Sequence, residues 1–201
     1  MKITFLHVGP DMRLPTLMAR SALAFGYRLV QMTDEQTSRV DGVHEVIRLP
    51  WDQKRLMTYR MRHLAQLDDS PTCVVDTDVV FCQDVSDVWN QEFDIALTRR
   101  EKVIDSFGVN IAKAMPYNTG VMFSRSQDFW KDAFDICQRL HPQYQDWYGD
   151  QLSVKQAAEM AYRLLELPVD EWNYPPAGPD DRPTQARVLH YKGKHRKEWM
   201  R

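Results

Sequence analysis

Cysteine is scarce and unpatterned: Cys73, Cys82 and Cys137 are an odd number with neither CxxC nor metal-ligand spacing. That excludes thiolate metal chemistry and a redox pair, and the expectation is reduced, mostly buried thiols in a cytoplasmic protein. Long apolar runs are also missing. The longest are strand-sized, so no segment is expected to span a membrane. The opening MKITFLHVGPDM carries one lysine and a short apolar stretch broken by His7, Gly9 and Pro10, too short for a signal peptide, and reads as a first strand. Charge of one sign is not in excess. The formal net charge of -2 creates no global field toward DNA or an anionic membrane. Internal repeats and low-complexity segments are absent. Charged residues at 27% are ordinary for a folded protein, and 201 residues fit one domain, 1–201, able to bury a full core.

What is present is an alternation of strand and helix patterns. Ile3 to Val8 reads as a strand closed by Gly9-Pro10, and Leu14, Leu17, Met18, Ala22 and Phe25 recur at helical spacing until Gly26. Tyr27 to Met32 and Val43 to Leu49 are the next strands, and 51–67 is a helix. Thr72 to Phe81 is a strand interrupted by two aspartates. Asp94 to Thr98 and Gly120 to Ser124 follow as strands, then helices over 129–140 and 150–161, and late strands at Arg163 to Leu167 and Arg187 to Tyr191. The order predicts an α/β/α sandwich on a mostly parallel sheet. Tyr174 to Pro183 reads as a Pro-rich loop, and a basic tail runs from Lys192 onward.

The chemistry concentrates in a few segments. In Val74-Val75-Asp76-Thr77-Asp78-Val79-Val80, strand alternation puts two carboxylates on one face at the end of a buried strand. Adjacent ionised carboxylates repel, and a divalent cation such as Mg2+ or Mn2+ removes the conflict while keeping positions open for phosphates. The alternative is a turn with two solvated aspartates. Arg60 falls inside the apolar stripe of its helix and requires an anionic partner, either a bound ligand or an internal carboxylate. His190 ends an apolar strand and offers a nitrogen ligand, and the cations beyond Gly193 suit a diphosphate. Alternatively, His190 is a satisfied core residue and the tail is solvated, or the tail joins Lys54, Arg55, Arg62 and His63 in binding nucleic acid. Asn118-Thr119-Gly120 opens a strand with polar groups and a glycine that permits close approach of a ligand. Asp150-Gln151 opens a helix, where a carboxylate is also a cap.

In this order the segments resemble the retaining, glycogenin-like glycosyltransferases of family 8. The resemblance runs from the first strand to the C-terminus. It is carried by Thr58-Tyr59-Arg60, Val75-Asp76-Thr77-Asp78-Val79, Asn118-Thr119-Gly120-Val121-Met122 and Asp150-Gln151. Leu167-Pro168 with Trp172-Asn173-Tyr174, and His190-Tyr191-Lys192-Gly193, complete it. It implies a GT-A fold and a metal-dependent transfer of sugar, with retention, from a nucleotide-diphosphate sugar such as a UDP-sugar. Asp76, Asp78 and His190 would bind Mn2+ (or Mg2+), and Val8, Arg60, Asp76, Asn118 and Asp150 would line the donor. Asp150 and Gln151 would act at the reacting sugar, with Gln151 beneath the anomeric carbon. Gly193 with Arg196 or Lys197 would hold the diphosphate, and the tail 192–201 would close over it. The chain departs from the family at Arg196-Lys197-Glu198-Trp199, where a basic-proline-tryptophan ending is usual, and at His7-Val8-Gly9-Pro10-Asp11.

Two other classes compete. A haloacid-dehalogenase-like phosphatase also places Asp-x-Asp after an apolar strand, but near the N-terminus and with a later Gly-Asp-x-x-x-Asp. Here Gly149-Asp150 is followed four residues on by Val154. A non-catalytic nucleotide-sugar or nucleic-acid binding module is the other. The acceptor is open among a glycan, a small molecule, a protein and a hydroxymethylated DNA base.

Overall fold

A computed structural model describes residues 1–201 except Gln53, Asp69, Glu101, Val103 and 105–107. Strands β1 (Lys2–Leu6), β2 (Arg28–Thr33), β3 (Glu45–Arg48), β4 (Thr72–Val75), β6 (Ile95–Arg99), β7 (Tyr117–Ser124) and β8 (Leu164–Pro168) form one sheet in the order β3-β2-β1-β4-β7-β6-β8. Only β7 runs against the others, pairing antiparallel with β4 and β6. β5 (Val79–Phe81) and β9 (Val188–His190) make a separate antiparallel pair. The mostly parallel sheet is as expected. All four residues of β4 and all eight of β7 are buried, which is what a strand covered on both faces requires.

Helices α1 (Arg13–Leu23), α2 (Leu56–Leu64), α3 (Gln127–Arg139), α4 (Pro142–Asp146), α5 (Gly149–Ala158), α6 (Val169–Trp172) and α7 (Lys194–Lys197) cover the sheet. One core lies between α1 and the β5-β9 pair, holding Ile3, Phe5, Met18, Ala22, Phe123 and Tyr191. The other lies under α2, α3 and α5, holding Met61, Leu64, Phe129, Trp130, Val154 and Ala157. α3 begins at Ser126, whose hydroxyl accepts from Phe129 N, so the amphipathic stripe starts in register with that core. α2 starts later than the expected 51–67. The Asp52 carboxylate accepts from Lys54 N at 3.1 Å, and this local turn competes with a first helical turn.

From β1 the chain turns through α1 to β2 on one side, then returns through α2 to β4 on the other. The carboxyl ends of β1 and β4 therefore flank a reversal of strand order, where open α/β sheets hold ligands. The expected strand 72–81 is divided. β4 belongs to the large sheet, β5 to the small one, and 77–78 form a turn between them. Asp76 and Asp78 are thus brought together by a change of sheet and not by strand alternation. No helix among the described residues is long and apolar enough to cross a membrane.

Candidate functional site

Backbone pairing fixes the two sides of the site. Asp76 N donates to Gly120 O at 3.0 Å, extending the β4-β7 ladder by one step, and Tyr191 N donates to Asp78 O at 2.8 Å, tying the turn to the end of β9. These bonds place Asp76, Asp78 and His190 around one point, with one ligand atom from each within 4.8 Å of the others. His190 Nε2 lies 3.3 Å from Asp78 Oδ1 and 3.7 Å from Asp76 Oδ2.

The imidazole is oriented from behind. Thr98 Oγ1 donates to Asn118 O, Asn173 Nδ2 donates to Thr98 Oγ1 at 2.8 Å, and Asn173 Oδ1 is left facing His190 Nδ1 at 2.8 Å. Nδ1 must carry the proton in that bond, so a neutral ring turns the Nε2 lone pair toward the two carboxylates. Nε2 is buried and has no hydrogen bond among the described residues. Three electron-pair donors thus converge on one point, which is the donor set a hard divalent cation satisfies. Gly120 makes the arrangement possible: a Cβ there would lie 2.1 Å from His190 Cε1. The close approach foreseen at Gly120 is therefore that of the His190 ring, not of a ligand.

Electrostatics follow from the same geometry. Burial pushes the Asp76 carboxyl above its ordinary range, Arg60 pulls it back, and Asp78 adds to the push. Burial also acts to raise Asp78, but His190 when its ring is protonated, together with Lys197, outweighs it and holds that group below the usual carboxylate range. Lys197 Nζ is 3.1 Å from Asp78 Oδ2.

Arg60 is buried and takes the internal partners of the two readings. Nη1 is 2.7 Å from Asp150 Oδ2, and Nη2 is 2.8 Å from Asp76 Oδ1 and 2.8 Å from Thr119 O. Asp150, buried in the first turn of α5, also accepts from Thr119 Oγ1 at 2.8 Å and from Gln151 N. It is not the cap of that helix, a position held by Tyr148. Gln151 Oε1 accepts from Arg100 Nη2. Asn118 uses Oδ1 to accept from Gly120 N at 3.0 Å, and its Nδ2 is buried without a partner among the described residues. Val8 follows β1, between His7, whose N donates to Met32 O, and Gly9, whose N donates to Thr37 Oγ1.

The tail is docked by one turn of helix. Gly193, at φ 86°, starts α7, Arg13 donates to the carbonyls of Lys197 and Met200, and Met200 is buried in the core. Arg196 donates to the carbonyls of Pro176 and Lys192, bracing the Pro-rich loop, whereas Lys197 reaches the carboxylates. No individual role was read from the sequence for Asn173, Thr119, Arg100 or Lys192. Asn173, Thr119 and Lys192 each stood within a segment that carried the resemblance, and Arg100 stood in none.

A mostly parallel α/β sandwich with an Asp-x-Asp turn at the carboxyl edge of its sheet has the GT-A fold of nucleotide-sugar glycosyltransferases. Solved structures bear this out. The galactosyltransferase LgtC, crystallised with donor and acceptor sugar analogues, superimposes with a TM-score of 0.67 at 14% identity over 96% of this chain and 87% of that one. A glycosyltransferase involved in glycosylation of the major capsid of PBCV-1 gives 0.64 at 16% identity over 100% of both chains. GlyE of Streptococcus pneumoniae TIGR4 gives 0.64 at 14% identity over 98% of this chain and 59% of that one. At these identities the likeness is one of fold. By sequence, no protein-family model and no curated protein matches the chain.

Proposed function

We propose that the chain is a metal-dependent glycosyltransferase that moves a sugar from a nucleotide-diphosphate donor, a UDP-sugar, to an acceptor hydroxyl with retention of configuration. The observation that carries this reading is the convergence of Asp76, Asp78 and a buried His190 Nε2 oriented by Asn173, at the strand-order reversal of a GT-A sheet. A bound Mn2+ or Mg2+ supplies Lewis acidity toward the leaving diphosphate. The chain does the remainder. Lys197 lies beside Asp78 and is placed to turn its cation to the diphosphate, and Asn118 Nδ2 offers an unused donor to the sugar. Arg60 holds Asp76 and Asp150 in position. Gln151 and Asp150 open α5 beside the site and supply oxygens that stabilise a developing oxocarbenium ion. The acceptor oxygen forms the new bond to the anomeric carbon, the bond from that carbon to the diphosphate oxygen breaks with its electron pair, and the hydroxyl proton leaves with the diphosphate.

The test is release of nucleotide diphosphate from a panel of sugar nucleotides with and without Mn2+. Turnover should require metal, and Asp78→Asn should abolish it while leaving the far-ultraviolet circular dichroism unchanged. Near-native turnover of Asp78→Asn without added metal would sink the assignment.

A further inference from the structure

The acceptor is the component for which the metal cluster gives no chemistry, and a neighbouring cleft does. About 630 Å³ in volume, it is lined by Arg99, Arg100, Lys102 and Lys192 against Glu166 and Asp170. This is within the range of roughly 300–1,000 Å³ usual for small-ligand sites. It adjoins the site at two points: Arg100 donates to Gln151, and Lys192 follows His190 by two residues and lies within electrostatic reach of Asp78.

The balance of charge in the cleft is uneven. Glu166 is engaged by Arg99 at 2.7 Å and by the Tyr117 hydroxyl at 3.0 Å, and Asp170 is exposed at the rim. Among the described residues the Arg100 guanidinium donates only to neutral oxygens, those of Met115, Tyr117 and Gln151. Neither Arg100 nor Lys192 forms a salt bridge among the described residues, although both are partly buried and Arg196 crowds Lys192 further. Asp150 acts on Arg100 and Asp78 on Lys192 without either forming a contact ion pair. Cations withdrawn from water without a contacting counter-ion are costly, and an anionic ligand relieves that cost.

Beside the cations stands an aromatic pair. Tyr148, at φ 67°, is the one non-glycine residue with positive φ among the described residues, and it lies within electrostatic reach of Arg100. Trp147 is 59% exposed, and its ring centroid is 5.9 Å from that of Tyr148. Strained backbone and exposed aromatic rings directly before α5 suit the apolar face of a sugar ring.

We propose that this cleft is the acceptor subsite and that it takes a sugar bearing an anionic group, a phosphate or carboxylate, in preference to a neutral glycan. The proposal rests on the glycosyltransferase reading. The anionic group sits against Lys192 and Arg100, the ring against Tyr148, and a hydroxyl faces the Asp150-Gln151 end. A nucleic acid fits less well, because a chain whose net charge is -2 has no global field to attract one and the cleft sets Glu166 and Asp170 among its cations.

Titration calorimetry of the full chain with hexose 6-phosphates, hexuronates and the matching neutral hexoses, with and without Mg2+ and UDP, reads the cleft without turnover. A charged sugar should bind at least about tenfold more tightly than its neutral counterpart. Its affinity should fall with salt and survive saturation by UDP. Lys192→Gln should erase the preference and Lys192→Arg retain it. Equal binding of charged and neutral sugars, no binding of any charged sugar, loss of binding when UDP is added, an unaltered preference in Lys192→Gln, or tighter binding of a DNA duplex overturns the proposal. Failure of the underlying reading looks different: no sugar nucleotide yields metal-dependent release of its diphosphate.

Discussion

Gly120 shows how one missing methyl can decide a site. Its space is filled by the His190 ring, and any side chain there meets Cε1 and Nδ1 at under 3 Å. Gly120→Ala should therefore displace His190 from the carboxylates and weaken Mn2+ binding by roughly ten- to a hundredfold, the scale seen when ligand orientation is disturbed. Electron paramagnetic resonance titration of free Mn2+ measures this directly. His63 acts through burial instead. Fully buried on α2 with its ring edge-on to Tyr59, it is pushed down to about 4 by burial and then by Arg62, with the Thr33 backbone opposing. The unfolded chain, with an ordinary imidazole near 6.5, then binds more protons than the folded one as pH falls through 6.5 toward 4. Stability is lost across that window and not above it, by about 3 kcal/mol at its acid end. His63→Leu should flatten this part of the profile when urea unfolding is followed at pH 7, 5.5 and 4.5. From sequence His63 counted among the cations of a nucleic-acid patch, because a polar residue next to Arg62 gives no sign that it faces inward.

At the scale of elements, α7 assigns different tasks to adjacent cations. Arg196 is bound to the carbonyls of Pro176 and Lys192, and Lys197 alone reaches Asp78. Lys197→Gln should weaken UDP binding in the presence of Mn2+ about ten- to a hundredfold, the equivalent of roughly 1.5–3 kcal/mol for a charge-assisted contact. Arg196→Gln should change it little, and calorimetric affinities of the two variants decide between them. The sequence left these two residues open because helical phase within four residues depends on where Gly193 starts the turn. The division of 72–81 between two sheets was likewise illegible. Both halves are apolar and strand-like, and only the pairing of β5 with β9, more than a hundred residues later, pulls the second half away.

Across the whole molecule Arg60 is the clamp, joining α2, the turn after β4 and the start of α5 through Asp76 and Asp150. Arg60→Met should leave these carboxylates without their cation and lower the unfolding free energy by about 3–5 kcal/mol in chelator, with part recovered on adding Mn2+. Urea unfolding in the two buffers checks both halves of that expectation. The sequence by itself determined the alternation of strands and helices, the parallel character of the sheet and the residue types able to bind a cation. Periodicity and side-chain chemistry are local properties, written in neighbouring residues. It also determined that Arg60 needed an anionic partner. Which partner, which cation faces the carboxylates and where uncompensated charge gathers were decided only by the tertiary structure. Each of these depends on contacts between residues far apart in the chain, and helical or strand periodicity places a side chain on a face without saying what lies opposite.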